Sequence, residues 1–328
     1  MYSTVPPRSG GGLGGGGASG TGGGAGHGAG WGLRRAVRLA FPDPAELASD
    51  EVHTGRLDAY LSDLLSQYKL GLEPGAIEQG GQSYGEMAEA LIKLAVPDGE
   101  SVDLLVLAYA IPDITPGRAT ATYLSHVCPG RPMSFAVSDQ GAAAGFIGLR
   151  LIRDYAQTGG PSRALMLVVE QAALPYDPGV PVAVPTGHSG VALLFGELTE
   201  TSDSAARLGT VSVSPGLAVA ALADEVGALF AGAAGSTAIL GSALATEVPE
   251  PTGPSQVRIA SVGQPYTGVW WELAGALAEA DVRASRILLA DYAPEAQYLC
   301  FAAIDAARDV ASEDMEIADT VPLSGSHR

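Results

Sequence analysis

The segment SFAVSDQGAAAGFIGLRLIRDY, residues 134–155, constrains the fold more than any other part of this chain. A short apolar run ends in a polar turn, SDQG, and the stretch that follows carries no charge before Arg150. A surface helix needs an apolar stripe on one face only, whereas a helix that is apolar all round must be covered on every side. The spacing therefore predicts a helix over 142–155 whose N-terminal end is buried. Covering it requires sheet, and the chain supplies short runs rich in aliphatic residues at 103–110, 134–138, 164–170, 191–196, 209–213, 257–262, 286–292 and 298–304. Several are apolar at consecutive positions, as expected of strands buried on both faces. A second predicted helix, 84–96, is amphipathic, with Met87, Leu91, Leu94 and Ala95 opposite Glu86, Glu89 and Lys93.

The order of elements repeats. SFAVSDQGAAAGFIGLRLIRDYAQTG, ALMLVVE and VALLFGE read as strand, turn, helix, strand, strand; IASVGQPYTGVWWELAGALAEADV, RILLADY and YLCFAAI read the same way. A period of this length points to a duplicated α/β half rather than a solenoid. The turns SDQG and VGQP hold equivalent places and are expected to meet near the middle, where sheet proteins build their sites. The organisation expected is a Gly-rich disordered tail over 1–32, one half over 33–200, a shortened second half over 201–311 and an acidic tail over 312–328. The Gly-rich start has no apolar core of a signal peptide. The uncharged stretch from 226 onward is the length of a membrane span, but small residues dominate it and it lies within a strand–helix pattern. A soluble protein is expected.

Charge and cysteine narrow the functions. A formal net charge of −18 opposes a nucleic-acid partner, and the basic runs Arg34, Arg35, Arg38 and Arg150, Arg153, Arg163 read as solvated surface arginines. Two cysteines, Cys128 and Cys300, provide no disulfide framework or metal-ligand spacing, and the five histidines are scattered. A reducing cytoplasm and no metal follow as expectations.

With these elements in place, three stretches resemble thiolase-fold condensing enzymes, closest to β-ketoacyl-acyl-carrier-protein synthase III. They are VDLLVLAYAIPDITPGRATATYL, SFAVSDQGAAAGFIGLRLIRDYAQTGGPSRALMLVVEQ and SVGQPYTGVWWELAGALAEADVRASRILLADY, and the likeness spans about residues 83–307. It implies an α/β fold of two duplicated halves, with mostly buried sheets around a buried helix layer. It also implies an acyl-CoA or acyl-carrier-protein thioester as substrate, no cofactor, and chains that pair through the sheet centre. In that family a Cys begins the buried helix, activated by its dipole and a His, while an Asn joins the His on the thioester carbonyl. Here the Cys position falls on Gly141, Ala142 or Ala143. The His would lie within 236–246, which has none, and Gln264 matches the Asn.

The remaining polar residues at the turn carry two readings each. Asp139 would cap the helix or act as a general base. Gln140, beside Ser138, would be an inert turn residue or a donor to a thioester oxygen. His188 is a turn residue unless it reaches Asp139. Cys128 and Cys300 read as buried thiols, Trp270 and Trp271 as helix–sheet packing, and Glu170–Gln171 as strand-end residues. Two functions follow. In the first, the chain is a non-catalytic subunit of a heteromeric condensing or acyl-transfer complex in secondary metabolism, partnered by a Cys-containing ketosynthase III-like subunit or by a second copy of itself. In the second, it passes an acyl group directly to an amine or hydroxyl, with Asp139 and His188 as base.

Overall fold

A computed structural model of the chain describes residues 31–43, 49–73, 82–113, 119–172, 174–179, 181–198, 206–279 and 286–305. Residues 1–30 of the expected N-terminal tail (1–32) and the expected tail over 312–328 lie outside the described residues. Strands β1 (Trp31–Ala40), β2 (Leu104–Ala108), β3 (Met133–Val137), β4 (Arg163–Glu170) and β5 (Ser189–Glu197) make a half-sheet of order β3-β2-β4-β5-β1. Strands β6 (Ala206–Ser214), β7 (Thr237–Leu240), β8 (Gln256–Ile259), β9 (Arg286–Ala293) and β10 (Tyr298–Asp305) follow the order β8-β7-β9-β10-β6. Adding five to each number of the first order gives the second, so the duplication expected from the sequence is present strand for strand. The halves join where Gly32 and Leu33 of β1 pair with Arg207 and Ala206 of β6. The sheet centre is thus filled from within the chain, and its outer edges are β3 and β8.

Apolar side chains leave both faces of the inner strands. Leu104, Val106 and Ala108 of β2 join one cluster, while Leu105 and Leu107 join another. The first cluster surrounds two helices, α4 (Ala143–Gln157) and α7 (Gly268–Ala278), together with Met166 and Val168 of β4 and Ile287 and Leu289 of β9. The opposite face of the first half is covered by α2 (Tyr84–Ala95) and α3 (Thr120–Val127), and that of the second by α5 (Leu222–Leu229) and α6 (Ser242–Glu247). A further helix, α1 (Glu51–Ser66), is capped by Asp50. The result is helix, sheet, helix, sheet, helix, with α4 and α7 in the middle layer. Every strand and helix predicted from the sequence is present within a few residues.

Two expectations need correction. The N-terminal tail does not reach residue 32, because β1 starts at Trp31. Arg34, Arg35 and Arg38 are not free surface charges. They lie on β1, where Arg34 pairs with Glu100 at 2.9 Å, Arg35 donates to Leu94 O, and Arg38 donates to Trp271 O and stacks on its ring. Arg163 also pairs with Glu100, and Arg150 and Arg153 with Asp154. Long stems allow such residues to cross apolar surface while their heads find partners at its margin. The stretch from 226 to 246 contains the end of α5, β7 and most of α6. Among the described residues no helix is long and apolar enough to cross a membrane.

The middle layer closes at one point, where the Phe146 and Trp270 rings lie 4.9 Å apart. Gly145 makes room for this, since a β-carbon there would come 2.5 Å from Trp270 Nε1. Helix propensity favours Ala over Gly by about 0.5–1 kcal/mol, whereas overpacking a core costs about 1–3 kcal/mol. Gly145→Ala is therefore expected to lower unfolding free energy despite its better propensity. Urea titration of wild type and variant measures the difference.

Candidate functional site

The parallel strands of each half end at one side of the sheet, and the turns into α4 and α7 begin there. The first turn bends sharply: Asp139 has φ 58° and Gly141 φ 52°. Left-handed backbone is uncommon outside glycine, and Asp is among the residues that tolerate it. Helix α4 then starts behind Ala142, with no side-chain cap; Ala143 N–H donates to Gln140 O at 3.0 Å and Ala144 N–H to Gly141 O at 3.2 Å. The carboxylate of Asp139 accepts from Ser138 Oγ at 3.0 Å. Asp139 does not cap α4, because the left-handed bend leaves it three residues ahead of the N-cap position. Ala142 and Ala143 are buried. In front of Gly141 the space is filled, since a β-carbon there would land on Oε1 of Glu295, from the β9–β10 turn.

The start of α7 is held differently. Glu170, the last residue of β4, is 1% exposed. Its Oε2 accepts the N–H groups of Tyr266 at 3.0 Å and Thr267 at 3.1 Å. Its Oε1 accepts Ser189 Oγ at 2.8 Å and Thr267 Oγ1 at 2.5 Å. Burial raises the Glu170 pKa, against the pull of these four bonds. Gln264 joins the group by donating to Ser189 Oγ at 3.1 Å. Glu170 of the first half thus satisfies the first N–H groups before a helix of the second half, which are otherwise orphaned.

His188 belongs to another corner. Its Nδ1 accepts Ala172 N–H at 3.1 Å, so the proton of the neutral ring is on Nε2, and burial lowers its pKa. No hydrogen bond or ion pair joins His188 to Asp139. Gln171 is fully buried and donates to Pro112 O. Gln140 lines a groove of about 350 Å³ with Ile147, Arg150, Leu151, Val213 and Tyr298, apart from the Glu170 group. Cys128 and Cys300 are buried, and burial lifts the Cys128 thiol to about 12 and raises Cys300 as well. Neither thiol has the exposed, electropositive setting of a reactive one. Among the described residues no group of three or more potential ligands is placed to hold a metal ion.

One residue that matters here was not singled out from the sequence. Asp291 lies within β9, 5% exposed, between Ala290 and Tyr292. Its carboxyl lies over Gly241, the residue that follows β7, in the volume a side chain at 241 would take. Oδ1 accepts the N–H of Tyr292 at 2.8 Å. Burial pushes its pKa up to about 7, the Tyr292 bond opposes this, and the Glu295 carboxylate adds to it. The signal was present as an acid inside the apolar run RILLADYA. Glu295 lies in an exposed turn and left no such signal.

No family model and no curated protein sequence matches the chain. Solved structures do. The tetronic acid condensing enzyme AbyA1 aligns at TM-score 0.58 and 18% identity, covering 84% of this chain and 99% of its own. The 3-oxoacyl-(acyl carrier protein) synthase III FabH of Pseudomonas aeruginosa PAO1 gives 0.56 and 15%, covering 86% and 100%. A single-site variant of Xanthomonas campestris OleA gives 0.55 and 15%, covering 84% and 98%. The chain has the thiolase fold, and in architecture it is similar to ketosynthase III-like condensing enzymes.

The burial of Asp291 has a measurable consequence. Its pKa of about 7 in the folded state lies above the ordinary value of about 3.9. Between those values the folded chain keeps a proton that the unfolded chain has released, so this group's contribution to stability falls as pH rises from 4 to 7. Asp291→Asn, neutral throughout, is expected to gain stability relative to wild type across that window. The difference levels off above pH 7. Denaturant titrations at a series of pH values measure it.

Proposed function

We propose that this chain is a ketosynthase III-like protein that does not carry out cysteine-based condensation and serves as the non-catalytic subunit of a heteromeric condensing or acyl-transfer complex. The observation that carries the reading is the filling of the reaction space. At the start of α4, Gly141, Ala142 and Ala143 offer no nucleophile, and Glu295 takes the volume in front of Gly141. Beyond β7, in the region where the resemblance places a His, Asp291 takes the volume in front of Gly241.

The charge matters as much as the volume. Condensation from a thioester develops negative charge on the carbonyl oxygen, which active sites stabilise with preorganised donors. Two carboxyl groups at that place act in the opposite sense. Gln264, the counterpart of the Asn, directs its amide to Ser189 rather than to an open space. The second function, acyl transfer with Asp139 and His188 as base, finds no support in their separate hydrogen bonds.

A role beside a partner is supported by what the chain keeps. The buried helix pair is intact, and β3 ends the sheet with Met133 49% exposed and one edge unpaired among the described strands. An open edge of this kind is suited to pairing with another chain. Co-expression with a Cys-containing ketosynthase III-like protein from the same gene neighbourhood, followed by size-exclusion chromatography with light scattering, tests the proposal. A mixed complex is expected, together with no acyl adduct on this chain by intact-mass analysis after incubation with acyl-CoA. Two proteins eluting independently, or an acyl adduct on this chain, would overturn it.

A further inference from the structure

Helix α1 holds to the chain through one face and leaves the other bare. Leu57, Leu61 and Leu65 follow one another at helical spacing and are buried. The outward face is exposed along its length, yet it carries Tyr60 at 47% and Leu64 at 41% exposure. Two features of that face have no cause within the chain. Gly55 lies inside the helix, where glycine is a weaker helix former than alanine. A β-carbon at 55 would meet nothing within 4 Å, so the chain's own packing does not require glycine there. Arg56 and Asp63 lie about two turns apart on the same face. Neither side chain has a hydrogen bond or ion pair among the described residues.

The order of these residues is self-complementary. Let a second α1 run antiparallel to the first, with the two-fold axis passing between Ala59 and Tyr60. Arg56 of each helix then faces Asp63 of the other, so both unpaired charges are matched twice over. Leu64 of each helix faces Gly55 of the other, a knob entering a hole that any larger residue would fill. Tyr60 lies against Ala59, the second small residue of the face. A parallel pairing would instead set Arg56 against Arg56 and Asp63 against Asp63. We infer that the outward face of α1 is a contact surface for a second copy of this chain, paired antiparallel about Ala59 and Tyr60. The contact lies on an element other than β3 and requires no chain of another sequence, so it goes beyond the subunit role. With 16 residues α1 is about 24 Å long. One such helix pair buries less than the roughly 800 Å² per partner of a standard interface, and a net charge of −18 on each chain opposes the encounter. The dimer is therefore weak and reversible.

Sedimentation velocity of the full chain alone at physiological salt tests it, over about 5 to 500 μM, where an interface of less than standard size dissociates. A monomer–dimer equilibrium is expected. Arg56→Asp and Asp63→Arg are each expected to weaken it about tenfold or more, because like charges then face one another. The double variant Arg56→Asp/Asp63→Arg restores the opposite-sign pairs and is expected to return to within about threefold of wild type. Gly55→Leu, checked for native circular dichroism, fills the hole and is expected to weaken the dimer about tenfold as well. Glu225→Gln on the surface of α5 leaves it unchanged. The inference is overturned by a chain that stays monomeric over the whole range, or by a dimer unchanged in Arg56→Asp and Gly55→Leu. It is overturned equally by a double variant no tighter than either single one, or by equal weakening in Glu225→Gln.

Discussion

Two helices buried between two half-sheets must have their first N–H groups met within the fold, and the two are met in different ways. Helix α7 is answered by Glu170, reaching from the end of β4 in the other half. Helix α4 starts through a tight left-handed turn whose own carbonyls, Gln140 O and Gly141 O, accept the N–H groups of Ala143 and Ala144, with Glu295 of the β9–β10 turn close to Gly141. Glu170 ends β4, whereas Glu295 lies in the turn beyond β9, so the two acids approach the helix starts from different points of their halves. A carboxylate near a helix start is stabilised by the helix dipole. Each half therefore places a carboxylate at the buried helix of the other, and the contact between Phe146 and Trp270 locks the pair between them.

This arrangement bears on chemistry because an anion at a helix start is what a thiolate nucleophile would also be. The turn before α4 keeps the shape that presents a group to that dipole, yet the group present is a carboxylate supplied from elsewhere in the chain. The asymmetry between the helices sharpens the point. Glu170 is fully bonded and inside the fold, as a structural group should be. Glu295 is exposed, and Asp291 behind it has an acceptor atom to spare.

Much of the fold was legible because consecutive apolar residues, as in LLVLA and ALMLVV, have few alternatives to a strand covered on both faces. β1 was not legible for the opposite reason: WGLRRAVRLA carries three arginines, and only the tertiary partners Glu100, Leu94 O and Trp271 O make them compatible with a strand near the sheet centre. β7, at four residues, is too short for periodicity to separate from the surrounding Gly- and Ala-rich helices. At the site, the sequence located the turns that matter but not their contents. Asp139 has the residue type and position of a cap, and only the backbone angle at 139 excludes it. Asp291 was visible as a charge in an apolar run, but its place over Gly241 arises from the pairing of β7 with β9, which no local pattern encodes.

Gly141 and Gly241 each face a carboxyl group, one from the turn after β9 and one from β9 itself. A side chain other than hydrogen at either position would collide with the acid now facing it. A side chain at 141 would therefore require Glu295 to withdraw, and one at 241 would require Asp291, inside a strand, to turn aside. The first displacement is easy, because Glu295 ends a flexible side chain on an exposed turn, although φ 52° at 141 still disfavours any residue but glycine. The second is not, because Asp291 is fixed by its neighbours in β9 and by the Tyr292 N–H. The two positions are thus unequally closed, and the one beyond β7, held by a buried strand residue, is the more firmly filled.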